Sequence, residues 1–163
     1  MKTLHIIRHA KSAWDQPGLP DHDRPLLRKG EKRTKKVADY LLKKKITVDL
    51  IISSSAVRAY ETAKIIANTI NYPLENIKVE SKIYYNDFEN LFDLLYKLPD
   101  EINSVMMFGH NPAITQFANY FIDTEIECMH TSEVVSVSFK TNKWNEIDSS
   151  ERITNFVIYP KML

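Results

Sequence analysis

Short apolar runs that end in reactive side chains, with helical stripes between them, constrain this chain more than any other feature. Leu4-His5-Ile6-Ile7 runs straight into Arg8-His9. Asp49 to Ile52, DLII, runs into Ser53-Ser54-Ser55, and Ser104 to Phe108, SVMMF, runs into Gly109-His110-Asn111-Pro112. Brief runs of this kind, rich in β-branched and other large apolar residues, read as buried strands. Ile77 to Glu80 reads as a further short strand.

The intervening segments keep a spacing of three and four. A helix from about Lys29 to Lys45 turns Val37, Ala38, Leu41 and Leu42 inward. A second, capped by serine and with Arg58 in its first turn, carries Ala59, Ala63, Ile66, Ala67 and Ile70. Phe88, Leu91, Phe92 and Leu95 stripe a helix from about Asp87 to Leu98. Ile114, Phe117, Ala118 and Phe121 stripe another, with Asn111 as its cap and Pro112 at its first position. The tail changes character: Val135, Val137 and Phe139 alternate with Ser136 and Ser138, Thr141-Asn142 turns the chain, and Trp144 to Ile147 and Ile153 to Tyr159 read as strands joined without helices. The expected fold is a three-layer α/β/α sandwich whose mostly parallel sheet has an antiparallel edge.

At 163 residues, one domain over 1–163 is expected. A formal net charge of +1 argues neither for nor against nucleic acid, membrane or acidic partners. The helix around 29–45 is dense in lysine and arginine, but only Tyr40 interleaves an aromatic ring, so it reads as a solvated face and not as a nucleic-acid surface. Cys128 stands alone, which excludes a disulfide framework, and reads as a small semi-buried side chain. Leu4 begins the first strand with no room for a signal peptide before it, and no apolar run reaches membrane-spanning length. An intracellular, cytoplasmic protein with no membrane partner is expected.

In a parallel core the three strand ends converge. Arg8, His9, Arg58, His110, a serine and two helix N-termini would then share one patch, a collection suited to a highly charged anion such as phosphate. The arginines supply the positive field, and no acidic pair has metal-ligand spacing, so neither metal nor other cofactor is called for.

These pieces resemble the histidine phosphatase, or phosphoglycerate-mutase-like, superfamily. IIRHAKSAWD is similar to its Arg-His-Gly signature, SSSAVRAYETA to its Ser-Ser-x-x-x-Arg-Ala-x-Glu-Thr element, and FGHNP to its second-histidine motif. Ala10 in place of glycine, the DRPL segment, GHNP, HTSEVVSVSF and the lack of long insertions make the small SixA-type phosphohistidine phosphatases the most similar branch. The resemblance implies that His9 is the nucleophile and that Arg8, Arg58 and His110 bind the phosphoryl oxygens, with Ser12 beside them. It implies a structural role for Glu61 near Arg58, and it leaves His5, His22 and His130 as ordinary histidines.

Two departures follow. Asp15 stands where the mutases carry asparagine after the tryptophan, and is expected to point away from the phosphate. For the general acid that phosphate esters require, SKIYYNDFENLF offers only Asp87 and Glu89; Asp87 reads better as a helix cap. Imidazole, with a conjugate-acid pKa of about 6.5, leaves without a positioned acid far more readily than an alkoxide does. The resulting expectation is a protein phosphohistidine phosphatase acting on a phosphorelay or phosphocarrier protein. A small-molecule phosphomonoesterase using Asp87 or Glu89, and a non-catalytic phosphate-binding module, are the alternatives.

Overall fold

A computed structural model describes residues 1–14 and 16–163; the expectation for Asp15 lies outside the described residues. The strands are β1 (Lys2–Arg8), β2 (Leu50–Ser53), β3 (Lys78–Val79), β4 (Ser104–Gly109), β5 (Val134–Phe139) and β6 (Arg152–Ile158). The helices are α1 (Arg28–Lys43), α2 (Val57–Thr69), α3 (Phe88–Tyr96) and α4 (Ala113–Phe121). The strands form one sheet in the order β3-β2-β4-β1-β5-β6. The first four run parallel, while β5 and β6 pair antiparallel, making the expected antiparallel edge.

The apolar runs are continuous because both faces of the sheet are covered. Ile6, Ile52 and Met107 face one side and pack with Leu91, Phe92, Phe117 and Phe121 of α3 and α4. Their chain neighbours Ile7, Ile51 and Met106 face the other side, against Val37, Leu41, Ala63 and Ile66 of α1 and α2. A one-residue slip in any central strand would exchange these two sets.

Several local expectations are corrected. Trp144–Ser149 is a 3-10 helix and not a strand. Trp144 and Ile147 lie three apart and are both buried, a spacing that eclipses on a 3-10 turn but falls on opposite faces of a strand. The Trp144 indole N–H also donates to the Ile102 carbonyl at 2.7 Å. Helix α1 ends before Lys45, whose φ of 59° is left-handed. No serine caps α2: Ala56 flanks it, and Ser54 Oγ accepts the Ala56 N–H at 3.2 Å. Helix α4 starts at Ala113, whose N–H is capped from a distant loop by Asn86 Oδ1 at 3.0 Å. Asn111 instead accepts from Thr115 Oγ1. Cys128 is exposed.

Candidate active site

Strands β2, β4 and β1 are adjacent and parallel, so their carboxyl ends open on one side of the sheet, the usual ligand side of such sheets. The ends are level. Arg8 pairs with Gly109 in register, the His9 N–H donates to the Gly109 carbonyl at 3.1 Å, and the Ser54 N–H donates to the Phe108 carbonyl at 3.1 Å. A cavity of about 690 Å³ lies above them, and Arg8, His9, Ser12, Arg58 and His110 all line it. Those side chains, buried except for the half-buried Arg8, form a floor, while Lys11, Trp14, Arg33, Asn86 and His130 form a more exposed rim.

His9 is held in one protonation state and one orientation. Its Nδ1 lies 2.7 Å from the Ala10 carbonyl, which can only accept, so Nδ1 carries the proton and Nε2 keeps its lone pair. Burial first, and then the charges of His110, Arg58 and Arg8, press its pKa down to about 3 against the bond to Ala10. The ring is neutral at pH 7. The loop beneath it is tied to α2: the Ala10 N–H donates to Thr62 Oγ1 at 2.8 Å, and that hydroxyl donates to the Arg58 carbonyl at 2.7 Å. On its other side the backbone of the loop comes close to α1. A Cβ at Gly30 would stand 2.3 Å from the Lys11 carbonyl oxygen, so only glycine permits this approach.

The cations around His9 are fixed as firmly. Arg58 Nη1 and Nη2 donate to Asp21, to its carbonyl at 2.8 Å and its carboxylate at 3.1 Å. Arg24 donates to Asp21 Oδ1 at 3.0 Å, to Ser12 Oγ at 2.9 Å and to the Ala13 carbonyl, with its guanidinium 3.8 Å from the centre of the Trp14 ring. Arg8 Nη1 donates to the Met129 carbonyl at 2.7 Å. His110 Nε2 lies 2.7 Å from Ser54 Oγ, and its ring centre lies 5.2 Å from that of His9. Burial, then Arg58, lowers the His110 pKa to about 4. Among the described residues, Nε of Arg8 and of Arg58 and Nδ1 of His110 are buried with no hydrogen-bond partner.

Asp21 is the acidic residue lining this cavity among those described. Partial burial opposes its ionisation, but hydrogen bonds from Tyr84 and Arg24 and the charge of Arg58 outweigh that and hold its pKa at about 2. It is a fixed anion and not a proton donor.

The sequence profile of the histidine phosphatase superfamily (branch 1) matches residues 4–105. The chain belongs to the histidine phosphatase superfamily. An uncharacterised chloroplastic protein of Arabidopsis thaliana is 31% identical over 154 residues, covering 89% of this chain and 70% of that protein. Among solved structures, the fold is similar to that of the protein histidine phosphatase SixA complexed with tungstate, with TM-score 0.81, 22% identity and 98% of each chain covered. It is also similar to that of mycobacterial glucosyl-3-phosphoglycerate phosphatase complexed with VO3, with TM-score 0.68, 14% identity, and coverage of 96% of this chain and 98% of that one.

Within this superfamily fold some expected partners change place. Glu61 does not serve Arg58; it lies half-exposed, 3.7 Å from Lys64. The useful residue of the Arg-Ala-x-Glu-Thr element is the next one, Thr62. Asp87 does cap a helix, accepting the Glu89 N–H at 3.0 Å, and both residues are exposed and away from the cavity lining. Asp21, Arg24 and Tyr84 received no role from sequence. A signal was present: Asp21 and Arg24 stand three apart in a tight turn bracketed by Pro20 and Pro25, a frame that fixes two side chains on one side. His22 and His130 also reach the region, His22 Nε2 lying 2.9 Å from Ser55 Oγ and His130 lining the rim.

Proposed function

We propose that this protein hydrolyses phosphohistidine on a phosphorelay or phosphocarrier protein, through a phosphohistidine formed on its own His9. The observation that carries the reading is the His9 ring: neutral, with Nδ1 committed to the Ala10 carbonyl and Nε2 free, among the buried Arg24 and Arg58 and the half-buried Arg8. In the first step the Nε2 lone pair bonds to phosphorus while the phosphorus–nitrogen bond to the substrate imidazole breaks, and the departing imidazole takes its proton from solvent. In the second, water attacks phosphorus, the bond to Nε2 breaks, phosphate departs, and the proton of the attacking water passes to solvent or phosphate. Arg8, Arg58 and His110 supply donors for the equatorial oxygens, where charge gathers in the transition state. Ser12 acts beside them, holding Arg24. The tungstate bound by the SixA neighbour and the VO3 bound by the glucosyl-3-phosphoglycerate phosphatase are oxyanions of the kind such a cradle would take.

The preference for an imidazole leaving group follows from the carboxylates. Asp21 is locked as an anion, and Asp87 and Glu89 stand off the cavity, so among the described residues no placed acid serves an alkoxide. A small-molecule phosphomonoesterase is the second reading, favoured by the likeness to the glucosyl-3-phosphoglycerate phosphatase fold.

The test compares kcat/KM on a histidine-phosphorylated carrier protein with that on phosphoserine and sugar phosphates, with His9→Ala as control. A preference for phosphohistidine of several orders of magnitude, abolished in His9→Ala, is expected. Equal turnover of esters would transfer the assignment to the second reading, and binding of phosphate ligands without any turnover would leave a binding module.

A further inference from the structure

The cavity over His9 continues past Arg33, His130 and Thr131 into a trough of about 520 Å³, whose far side is made by Tyr159 and Lys161. Helix geometry builds the near bank. Lys29, Arg33 and Lys36 occur at i, i+4 and i+7, so they share one side of α1, while Gly30, Thr34, Val37, Ala38 and Leu41 take the buried side. Tyr159 gives the trough a firm floor: the His130 ring stacks on it at 4.0 Å between centres and 13° between planes, and His130 Nδ1 is held by the buried Glu133 at 2.6 Å.

The charge of this trough is uncompensated. Among the described residues, no carboxylate stands within salt-bridge distance of Lys11, Lys29, Arg33, Lys36 or Lys161. Elsewhere on the same helix Lys35 pairs with Asp39 at 2.8 Å. Acids are not scarce in a chain with 22 lysines and arginines and 21 acidic residues. The carboxylate that does reach this face, Glu133, is buried and bonded to His130 rather than to a lysine or arginine. Like charges crowd also where the trough meets the cavity over His9: Lys29 first, and burial and Arg33 behind it, depress the pKa of Lys11 on the cavity rim. Such a patch is costly to keep bare and is relieved by an anion.

We propose that the trough docks an acidic patch beside the phosphohistidine of the substrate protein, with carboxylates seated against Lys36 and Lys161. This deepens the phosphohistidine reading and rests on it. A protein fits better than the second phosphate of a metabolite, because the cations are exposed and spread along about 10 Å of helix, seven residues at 1.5 Å each. They form no compact cradle of fixed donors, whereas a protein surface can present carboxylates over that distance.

Two synthetic peptides test the proposal, each with one phosphohistidine, flanked in one by aspartate and glutamate and in the other by asparagine and glutamine. The acidic peptide should be hydrolysed with a kcat/KM roughly 5- to 20-fold higher at low salt, with kcat unchanged and the advantage shrinking as salt rises. Lys36→Glu/Lys161→Glu should erase the advantage and leave the neutral peptide's rate unchanged, which also shows that the variant folds. Equal rates on the two peptides in the native protein would overturn the docking proposal and leave the phosphohistidine assignment standing. An advantage that survives the double substitution would overturn it too, as would inhibition by a mixed-sequence RNA at concentrations where the unphosphorylated acidic peptide does not compete. Failure on both peptides while phosphate esters are cleaved would instead remove the phosphohistidine reading beneath it.

Discussion

The two banks of the cavity are built on opposite principles. On the Asp21 bank every cation is spoken for: Arg58 and Arg24 share one carboxylate, Arg24 also holds Ser12, and Tyr84 donates to the same Asp21 at 2.8 Å. On the α1 bank Arg33, Lys36 and Lys161 have no acidic partner among the described residues. Both banks attract anions. Only the first fixes donors in space, which is what a transition state demands, since a small misplacement there costs rate. Attraction of an encounter partner needs only charge, and exposed flexible lysines supply it.

That contrast can be broken first at Arg58. Arg58→Ala should lower kcat by about 10²–10³, the usual cost of removing one such donor, measured on any turned-over substrate. Arg58→Lys should fail to restore it, because the fork that bonds both the carbonyl and the carboxylate of Asp21 has no ammonium equivalent. Full rescue by lysine would mean that this bank, too, works by charge alone.

Asp21→Asn comes next. It leaves Arg58 buried without its carboxylate, so the guanidinium should lose its orientation and kcat should fall by roughly tenfold, and Tm should fall as well because the charge left behind is buried. A lowered Tm with an unchanged rate would make Asp21 a structural residue.

Three buried histidines, two of them on the floor, also predict a pH dependence of stability. His5, His9 and His110 are pressed by burial to about 4, 3 and 4, below the ordinary 6.5. Between about 4 and 6.5 the unfolded chain binds protons that the folded chain refuses, so stability is full above 6.5 and declines as pH falls through that window. Thermal unfolding at pH 7 and pH 5 checks the sign; a Tm unchanged between them would contradict neutral, buried rings. The smallest effect belongs to the α1 bank: Lys36→Ala should alter kcat/KM less than about threefold and kcat not at all, in keeping with single exposed charges.

How much of this was legible in the sequence depended on where each partner sits along the chain. The central strands and the placement of Arg8, His9, Arg58 and His110 could be read because Arg8, His9 and His110 lie at the ends of apolar runs and Arg58 in the first turn of the helix that follows one, and local pattern fixes local structure. Thr62 and Asp21 could not. Thr62 acts across to Ala10, and Asp21 across to Arg58 and Tyr84, contacts that exist only once α2 and the loop between β1 and α1 are packed. Caps failed for the same reason: Asn86 reaches Ala113 from another part of the chain. The 3-10 turn at Trp144 was missed because a short segment with buried residues three apart carries too little period to separate it from a strand.

One bond has a consequence for how such a site can vary. The acceptor that sets the His9 tautomer is the carbonyl of Ala10, a group that every amino acid carries. Substitution at position 10 can shift the ring by bulk, since Ala10 is fully buried, but it cannot delete the acceptor. The tautomer of His9 is therefore written in the peptide bond itself. Drift can erode the arginines around it one by one, while the histidine stays poised until the backbone moves.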